Sequence, residues 1–353
     1  MTLRHRLVRP SPTQLSAAYL GLGLSLVMGG CGAAPAELDQ GAFPAQAALR
    51  LEAAAAVGPF SNPVLARDFA DPGIMRVGHT YYAFATNGGG ANVQAEMSND
   101  LVHWHRLPDA LPHLPDWADR GRTWAPEALQ LHDQAFVLYF TAHHRKHNVE
   151  CIGAATSTHP AGPYVPVAGS ALICLPAEGG VIDPSPFIDA DGERYLLYKN
   201  DGNAIGHDTW LQIKKLSADG CHLVGTGTRL IKQTLPWEGP LVEAPFLHRE
   251  GQIYTLFYSA AHYNNASYSV GFATADRLMG PYTKSPEPLL KSSSVHGAVI
   301  GPGGQNVVRG PDESLWLTYH SWTPSFSARV LNLTRLSFVD GKPHATATWA
   351  RPQ

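Results

Sequence analysis

The chain has 353 residues, with 26 Lys and Arg against 29 Asp and Glu and a formal charge of −3 when its 17 histidines are neutral. That balance lacks the basic excess of a nucleic-acid binder, the 44% hydrophobic content is too high for a disordered chain, and no apolar run is long enough to span a bilayer. Charged residues make up 16% of the chain, against roughly 25% in an average soluble protein, while 34 glycines and 28 prolines point to a fold rich in tight turns.

In chain order, Arg4, Arg6 and Arg9 precede a mostly apolar stretch from Leu15 to Met28 and two small residues, Gly29 and Gly30. Residues 1–31 therefore read as an export signal. Cys31 after two glycines resembles the lipobox of bacterial lipoproteins, in which that cysteine is lipidated and becomes the mature N-terminus; ordinary signal cleavage is the alternative. The Ala-rich residues 32–57 read as a flexible tether, which leaves 58–353 as the folded domain. Export places the protein in the periplasm or at the cell surface. An oxidising compartment allows one disulfide among Cys151, Cys174 and Cys221, and Cys151 with Cys174 is the expected pair. No pair of C-x-x-C motifs suggests zinc. The run His143, His144, Arg145, Lys146, His147 is expected in a solvated loop after a strand.

Five proline-centred segments then recur: ADPGI around Pro72, WAPEAL around Pro126, IDPSPF around Pro184, VEAPFL around Pro245 and IGPGGQ around Pro302, at intervals of 54, 58, 61 and 57 residues. Each is followed by a turn and an aromatic strand: TYYAFAT, AFVLYFTA, RYLLYKN, IYTLFYSA and LWLTYHSW. A second echo, GAATSTHPAGPY from Gly153 and GFATADRLMGPY from Gly271, is offset by 118 residues, two repeat periods. With about four short strands per period and no useful amphipathic helix, the pattern predicts an all-β chain. The expected architecture is a single five-bladed β-propeller, each blade a four-stranded antiparallel sheet.

A propeller brings its five inner strands to one axis, so Asp71, Glu127, Asp183 and Glu243 should gather at one mouth with the Gly301 to Gln305 segment. Gathered carboxylates suit glycoside hydrolysis, which needs a proton donor of raised pKa and a carboxylate that activates water or attacks carbon. A sugar also wants an aromatic floor. Trp124 is the leading candidate, with Phe187 beside it, ahead of Trp210, Trp237 and Phe246.

The succession ADPG, WAPE, VIDPSPF with DADGERYLLY, LVEAPF with YTLFYSA, and GPGGQ with YHSW resembles glycoside hydrolase family 43, five-bladed propellers acting on arabinose- and xylose-containing polysaccharides. The resemblance implies Asp71 as general base, Asp183 as the residue that tunes and orients the acid, and Glu243 as general acid. His320 and Arg329 resemble pocket-facing positions of the fifth blade. Leu241, Val242, Ala244 and Pro245 suggest an apolar setting for Glu243, which with the charge of Asp183 would hold its proton. Related sucrose- and fructan-acting propellers are retaining and carry R-D-P in mid-chain; Ile182-Asp183-Pro184 here points instead to inversion. Many arabinan-cleaving members hold axial calcium with a GPGH histidine, but Gln305 stands there, so no metal or other cofactor is expected. Glu127, where aspartate is more usual, reads as structural.

The expected substrate is an oligosaccharide or polysaccharide and the expected state a monomer. An exo-acting α-L-arabinofuranosidase is favoured because no β-sandwich of the kind many family β-xylosidases carry is appended. β-Xylosidase, arabinanase and, in a different class, a non-catalytic surface glycan-binding propeller remain open. Acylation of Cys31 would make the mature protein partition into detergent and take up labelled palmitate, and Cys31→Ala would release it or block its processing; a wholly soluble wild type with its N-terminus beyond Cys31 would exclude the anchor.

Overall fold

The computed structural model describes residues 57–292 and 299–346. The export signal, Cys31 and nearly all of the tether lie outside the described residues. Val57, assigned to the tether by sequence, packs at the edge of an apolar cluster with Phe60 and Trp316.

Blade one runs β1 (Gly73–Val77), β2 (Thr80–Ala85), β3 (Gln94–Ser98) and β4 (His105–Arg106). Blade two runs β5 (Ala118–His132), β6 (Ala135–His144), β7 (Val149–Ser157) and β8 (Val165–Pro166). Blade three comprises β9 (Val181–Ile188), β10 (Arg194–Asn200), β11 (Trp210–Leu216) and β12 (Leu223–Lys232); blade four comprises β13 (Val242–Glu250), β14 (Ile253–Ala260), β15 (Ser269–Ala275) and β16 (Thr283–Lys284). Blade five is β17 (Ile300–Arg309), β18 (Leu315–Trp322), β19 (Arg329–Val339) and β20 (Lys342–Thr346). Each blade is a four-stranded antiparallel meander. Inner strands β1, β5, β9, β13 and β17 meet in succession, and β17 returns to β1, so the chain is a five-bladed β-propeller.

The strands are long apolar or alternating runs because each blade is covered on both faces by its neighbours. Five apolar clusters follow, one at each joint: Phe84 with Phe140, Val137 with Leu196, Leu197 with Leu256, Phe257 with Leu317, and Tyr81 with Leu331. The ring closes through the segment before β1. Leu65 bridges Leu331 on β19, Phe69 N–H donates to Arg329 O at 2.7 Å, and the Asn62 amide exchanges hydrogen bonds with the Leu333 backbone.

The echo two blades apart marks a repeated packing device. An added Cβ at Gly153 would meet Phe140 and Trp117, and one at Gly271 would meet Trp237 and Tyr258, each within 3.0 Å. Glycine is needed there for close approach to an aromatic stack. Tyr164 and Tyr282, again 118 residues apart, each donate from the ring hydroxyl to a carbonyl four residues upstream, Pro160 and Leu278, at 2.9 Å.

Cys151 and Cys174 form a disulfide, and Cys221 is free. The histidine run departs from its expected loop. His143 and His144 are buried residues of β6, where His143 faces Glu150 at 3.2 Å and His144 stacks on Trp117. The apolar strand continues through them before the turn begins, leaving Arg145, Lys146 and His147 exposed.

Candidate active site

At the top of each inner strand one residue adopts a left-handed backbone: Asp71, Ala125, Asp183, Ala244 and Gly304, with φ of 53°, 42°, 57°, 49° and 56°. Four are non-glycine residues followed by proline, a combination that strains the chain and persists only where surroundings hold it. Strand register makes the five equivalent. The preceding residue pairs with Thr141 at Trp124, with Lys199 at Ile182, with Ser259 at Glu243 and with His320 at Gly303, while Thr86 N–H donates to Ala70 O. Gln305, and not Pro302, therefore occupies the proline position of blade five, three residues later than the sequence repeat suggested.

Four of these left-handed residues donate their N–H to the side chain that the previous blade offers at that register. Asp71 N–H reaches His320 Nδ1 at 3.1 Å, Ala125 reaches Thr86 Oγ1 at 3.1 Å, Asp183 reaches Thr141 Oγ1 at 3.1 Å and Gly304 reaches Ser259 Oγ at 2.9 Å. The joint between blades three and four differs. Its side chain is Lys199, so Ala244 N–H donates instead to Asp183 Oδ2 at 2.8 Å.

The expected carboxylates do converge, but not at equivalent positions. Asp71 and Asp183 are the left-handed residues themselves, Glu243 precedes one, and Glu127 lies two residues beyond another. Asp71, Asp183, Glu243, Trp124 and Arg329 line one cavity of about 340 Å3 together with Lys199, Tyr263 and Tyr268, within the range of small-molecule sites. Behind it on the axis, Glu127 and Gln305 border a void of only about 20 Å3, the size of one water.

Asp71 is half-buried, and desolvation alone would raise its pKa, yet the Arg329 guanidinium and the Thr86 hydroxyl outweigh that and hold the carboxyl below its usual range. Arg329 Nη1 lies 3.2 Å from Oδ1, and the Thr86 hydroxyl donates to Oδ2 at 2.6 Å. His320 is fully buried and lowered to about 3, mainly by burial. It is neutral, and because Nδ1 accepts from the Asp71 N–H, its 3.4 Å approach to Asp71 Oδ1 is no ion pair. Asp71 is thus a fixed, ionised acceptor.

Across the cavity, Glu243 accepts from Tyr268 Oη at 2.8 Å and lies 3.3 Å from Lys199 Nζ. The apolar flanks of its sequence therefore mislead: a hydroxyl and a buried ammonium face it. Asp183 is the group whose proton is held. Burial, then the charge of Glu243, push it up to about 8, against the opposing charge of Lys199. Lys199 itself is raised, because Glu243 and Asp201 outweigh its burial, and its Nζ lies 3.0 Å from Asp201 Oδ1. Nothing in the sequence reading singled out Lys199, although a lysine inside RYLLYKN was the available signal.

Glu127 is held far above its usual pKa by burial and accepts from Ser185 Oγ at 3.1 Å. The axial donor set does not fit calcium: Gln305 Oε1 accepts from Ser259 at 2.8 Å, and its Nε2, which offers no lone pair to a cation, donates to Ala244 O at 2.7 Å. Among the described residues no cluster of three His, Cys, Asp or Glu could hold a metal.

Trp124 lines the cavity, with Arg122 5.5 Å above its ring. Phe187 does not. It lies four residues beyond Asp183 along β9, roughly 13 Å down the strand, and packs edge-on against Tyr254 at 6.3 Å. Trp237 stacks on Tyr258, Phe246 packs between blades four and five, and Trp210 sits outside between Arg229 and Lys232.

Residues 60–343 match the family model described as Glycosyl hydrolases family 43. The chain is 27% identical to the beta-D-galactofuranosidase of Aspergillus niger, over 73% of this chain and 75% of that protein. It is 28% identical to an extracellular endo-alpha-(1->5)-L-arabinanase of Thermotoga petrophila, over 64% of this chain and 53% of that protein. The chain thus spans about half the length of some curated relatives it matches. A crystal structure of a thermostable family-43 glycoside hydrolase superposes with a TM-score of 0.75 at 28% identity, covering 83% of this chain and 98% of that one.

Lys199 opposes retention of a proton by Asp183. Lys199→Thr installs the kind of hydroxyl used at the equivalent place in blades one, two and four, and should move the titration of Asp183 above about 8. Carboxyl-carbon NMR against pH checks this; an unmoved titration would show that Lys199 exerts no field on Asp183.

Proposed function

The chain belongs to glycosyl hydrolases family 43, and from that premise we propose that it hydrolyses glycosidic bonds of arabinose- or xylose-containing glycans with inversion. The observation that carries this is one cavity lined by three carboxyl groups in different settings: Asp71, held ionised by Arg329 and Thr86, faces Asp183, pushed up to about 8, and Glu243 beside it. Two carboxyl groups driven apart in this way are what acid and base roles require.

In the proposed step Asp71 takes a proton from a water whose oxygen forms the new bond to the anomeric carbon. Glu243 delivers a proton to the glycosidic oxygen as the bond from that oxygen to the anomeric carbon breaks, so the freed sugar has inverted configuration. Arg329 and neutral His320 fix Asp71, Trp124 floors the sugar, and Asp183 orients and tunes the acid beside it.

Among activities we favour exo-acting α-L-arabinofuranosidase, because a cavity of about 340 Å3 suits a chain end. β-Xylosidase and arabinanase are the alternatives, and the named relatives span several such activities. We also propose export with anchoring through Cys31 and action as a monomer. Turnover of nitrophenyl α-L-arabinofuranoside above nitrophenyl β-D-xyloside and linear arabinan would support the favoured activity, and the reverse order would replace it. Turnover of none by a protein that binds the glycans would favour the surface-binding propeller.

Glu243→Ala should lower kcat/KM on natural glycosides about a thousandfold while sparing dinitrophenyl glycosides, whose leaving group needs no proton. Asp71→Ala should be rescued by no leaving group, only by a small nucleophile such as azide. Equal losses on both substrates in Glu243→Ala would remove it as the acid.

Asp183→Asn removes the ionisable carboxyl whose negative charge would oppose ionisation of the neighbouring acid, so the alkaline limb of kcat/KM should move to lower pH than in wild type. An active Asp183→Asn enzyme with an unmoved limb would withdraw the tuning role.

A further inference from the structure

Outward from Arg329 the mouth of the cavity continues as an aromatic ridge that the hydrolytic step does not use. The Arg329 guanidinium lies 5.1 Å from the Tyr263 ring and 5.8 Å from the Trp322 ring. Trp322 Nε1 donates to Tyr263 O at 2.6 Å, tying the loop after β14 to the end of β18. Phe326, in the turn between β18 and β19, tilts against Trp322 at 5.7 Å. Tyr263 and Phe326 are 50% and 43% exposed.

The turn is built to present that ring. Phe326 has φ of 53° without being glycine, a conformation that costs on the order of 1 kcal/mol. Thr323 holds the turn: its carbonyl accepts from Phe326 N–H at 2.9 Å and its hydroxyl from Ser327 N–H at 3.2 Å. A turn free to choose would expose a small polar residue and bury the phenyl ring.

We propose that Tyr263, Trp322 and Phe326 form a binding subsite for the sugar residues that follow the reacting unit along the substrate chain. The occupant is indicated by continuity: Tyr263 and Arg329 belong both to the ridge and to the cavity lining, so a glycan leaving the cavity on this side runs over the ridge. Sugar rings carry an apolar face of C–H groups that packs on aromatic faces. The inference rests on the glycosidase assignment of the cavity and adds to it a preference for chains over single glycosides.

The test compares Phe326→Ala and Phe326→Tyr with wild type on a nitrophenyl glycoside and on arabino- and xylo-oligosaccharides of two to five units. Phe326 touches none of the reacting groups, so the nitrophenyl substrate should be unaffected by either variant. On the longer oligosaccharides Phe326→Ala should lose about tenfold in kcat/KM through a higher KM, and Phe326→Tyr should retain the wild-type value. An equal effect on aryl glycoside and oligosaccharide, or no dependence on chain length, would overturn the subsite. If wild type cleaves no substrate the glycosidase assignment fails, and the ridge is then read by titrating tryptophan fluorescence with the same oligosaccharides: weaker binding in Phe326→Ala alone supports it, and equal binding in all three proteins overturns it.

Discussion

The site depends on a ring of backbone strain held in place by hydrogen bonds between blades. A left-handed non-glycine residue costs of order 1 to 3 kcal/mol, and four of the five positions carry one. Each of their N–H groups turns toward a neighbouring blade and finds an acceptor there, which contributes about 1 kcal/mol and avoids the larger cost of a buried, unpaired donor. The strain and the bonds require each other. Only with all five blades docked does any one inner strand hold its twist, so the orientation of Asp71 and Asp183 is a property of the closed ring.

The one irregular joint explains the electrostatics. Were a threonine or serine at the position of Lys199, it would accept from Ala244 N–H as its counterparts do, and Asp183 would be free to turn away. Lys199 has no acceptor to offer. Asp183 fills that role, which fixes its carboxyl beside the residue next to Glu243, while the lysine is held between Glu243 and Asp201. A single residue change relative to the other blades thus brings two carboxylates together and supplies the cation that keeps their repulsion tolerable.

The fivefold repeat was legible in sequence because proline after a strained residue leaves a mark in every blade but the last. There the mark misled: Pro302 is visible, but strand register puts Gln305 in its place. That Asp71, Asp183 and Glu243 would gather in one cavity was legible from their segments, whereas the geometry that distinguishes them, one residue earlier or later along a strand, is invisible without register. Phe187 failed for the same reason, since nearness in sequence along an extended strand is distance in space. His143 and His144 read as loop because their type suggests solvent, but Glu150 and Trp117 satisfy them inside the sheet. Lys199 was missed because a lysine ending an apolar strand looks like an edge residue until the next blade is placed against it.

Gln305 completes the argument from the opposite side of the ring. A proline there, as in the other blades, could not reach Ser259 or Ala244, and a charged residue would add to a field already set by Asp71, Asp183 and Glu243. The neutral amide bridges blades four and five by accepting at one end and donating at the other. Glu127, its pKa held well above the usual range by desolvation, faces the same axial void. Asp71 and Asp183 border that void as well as the cavity, so the charges that act there are those of the cavity wall: an ionised Asp71 tied to Arg329 on one side, and Asp183, pushed up to about 8, beside Glu243 and Lys199 on the other. A further ionised axial carboxylate would raise the proton affinity of Asp71 and so oppose the ionised state that a general base needs.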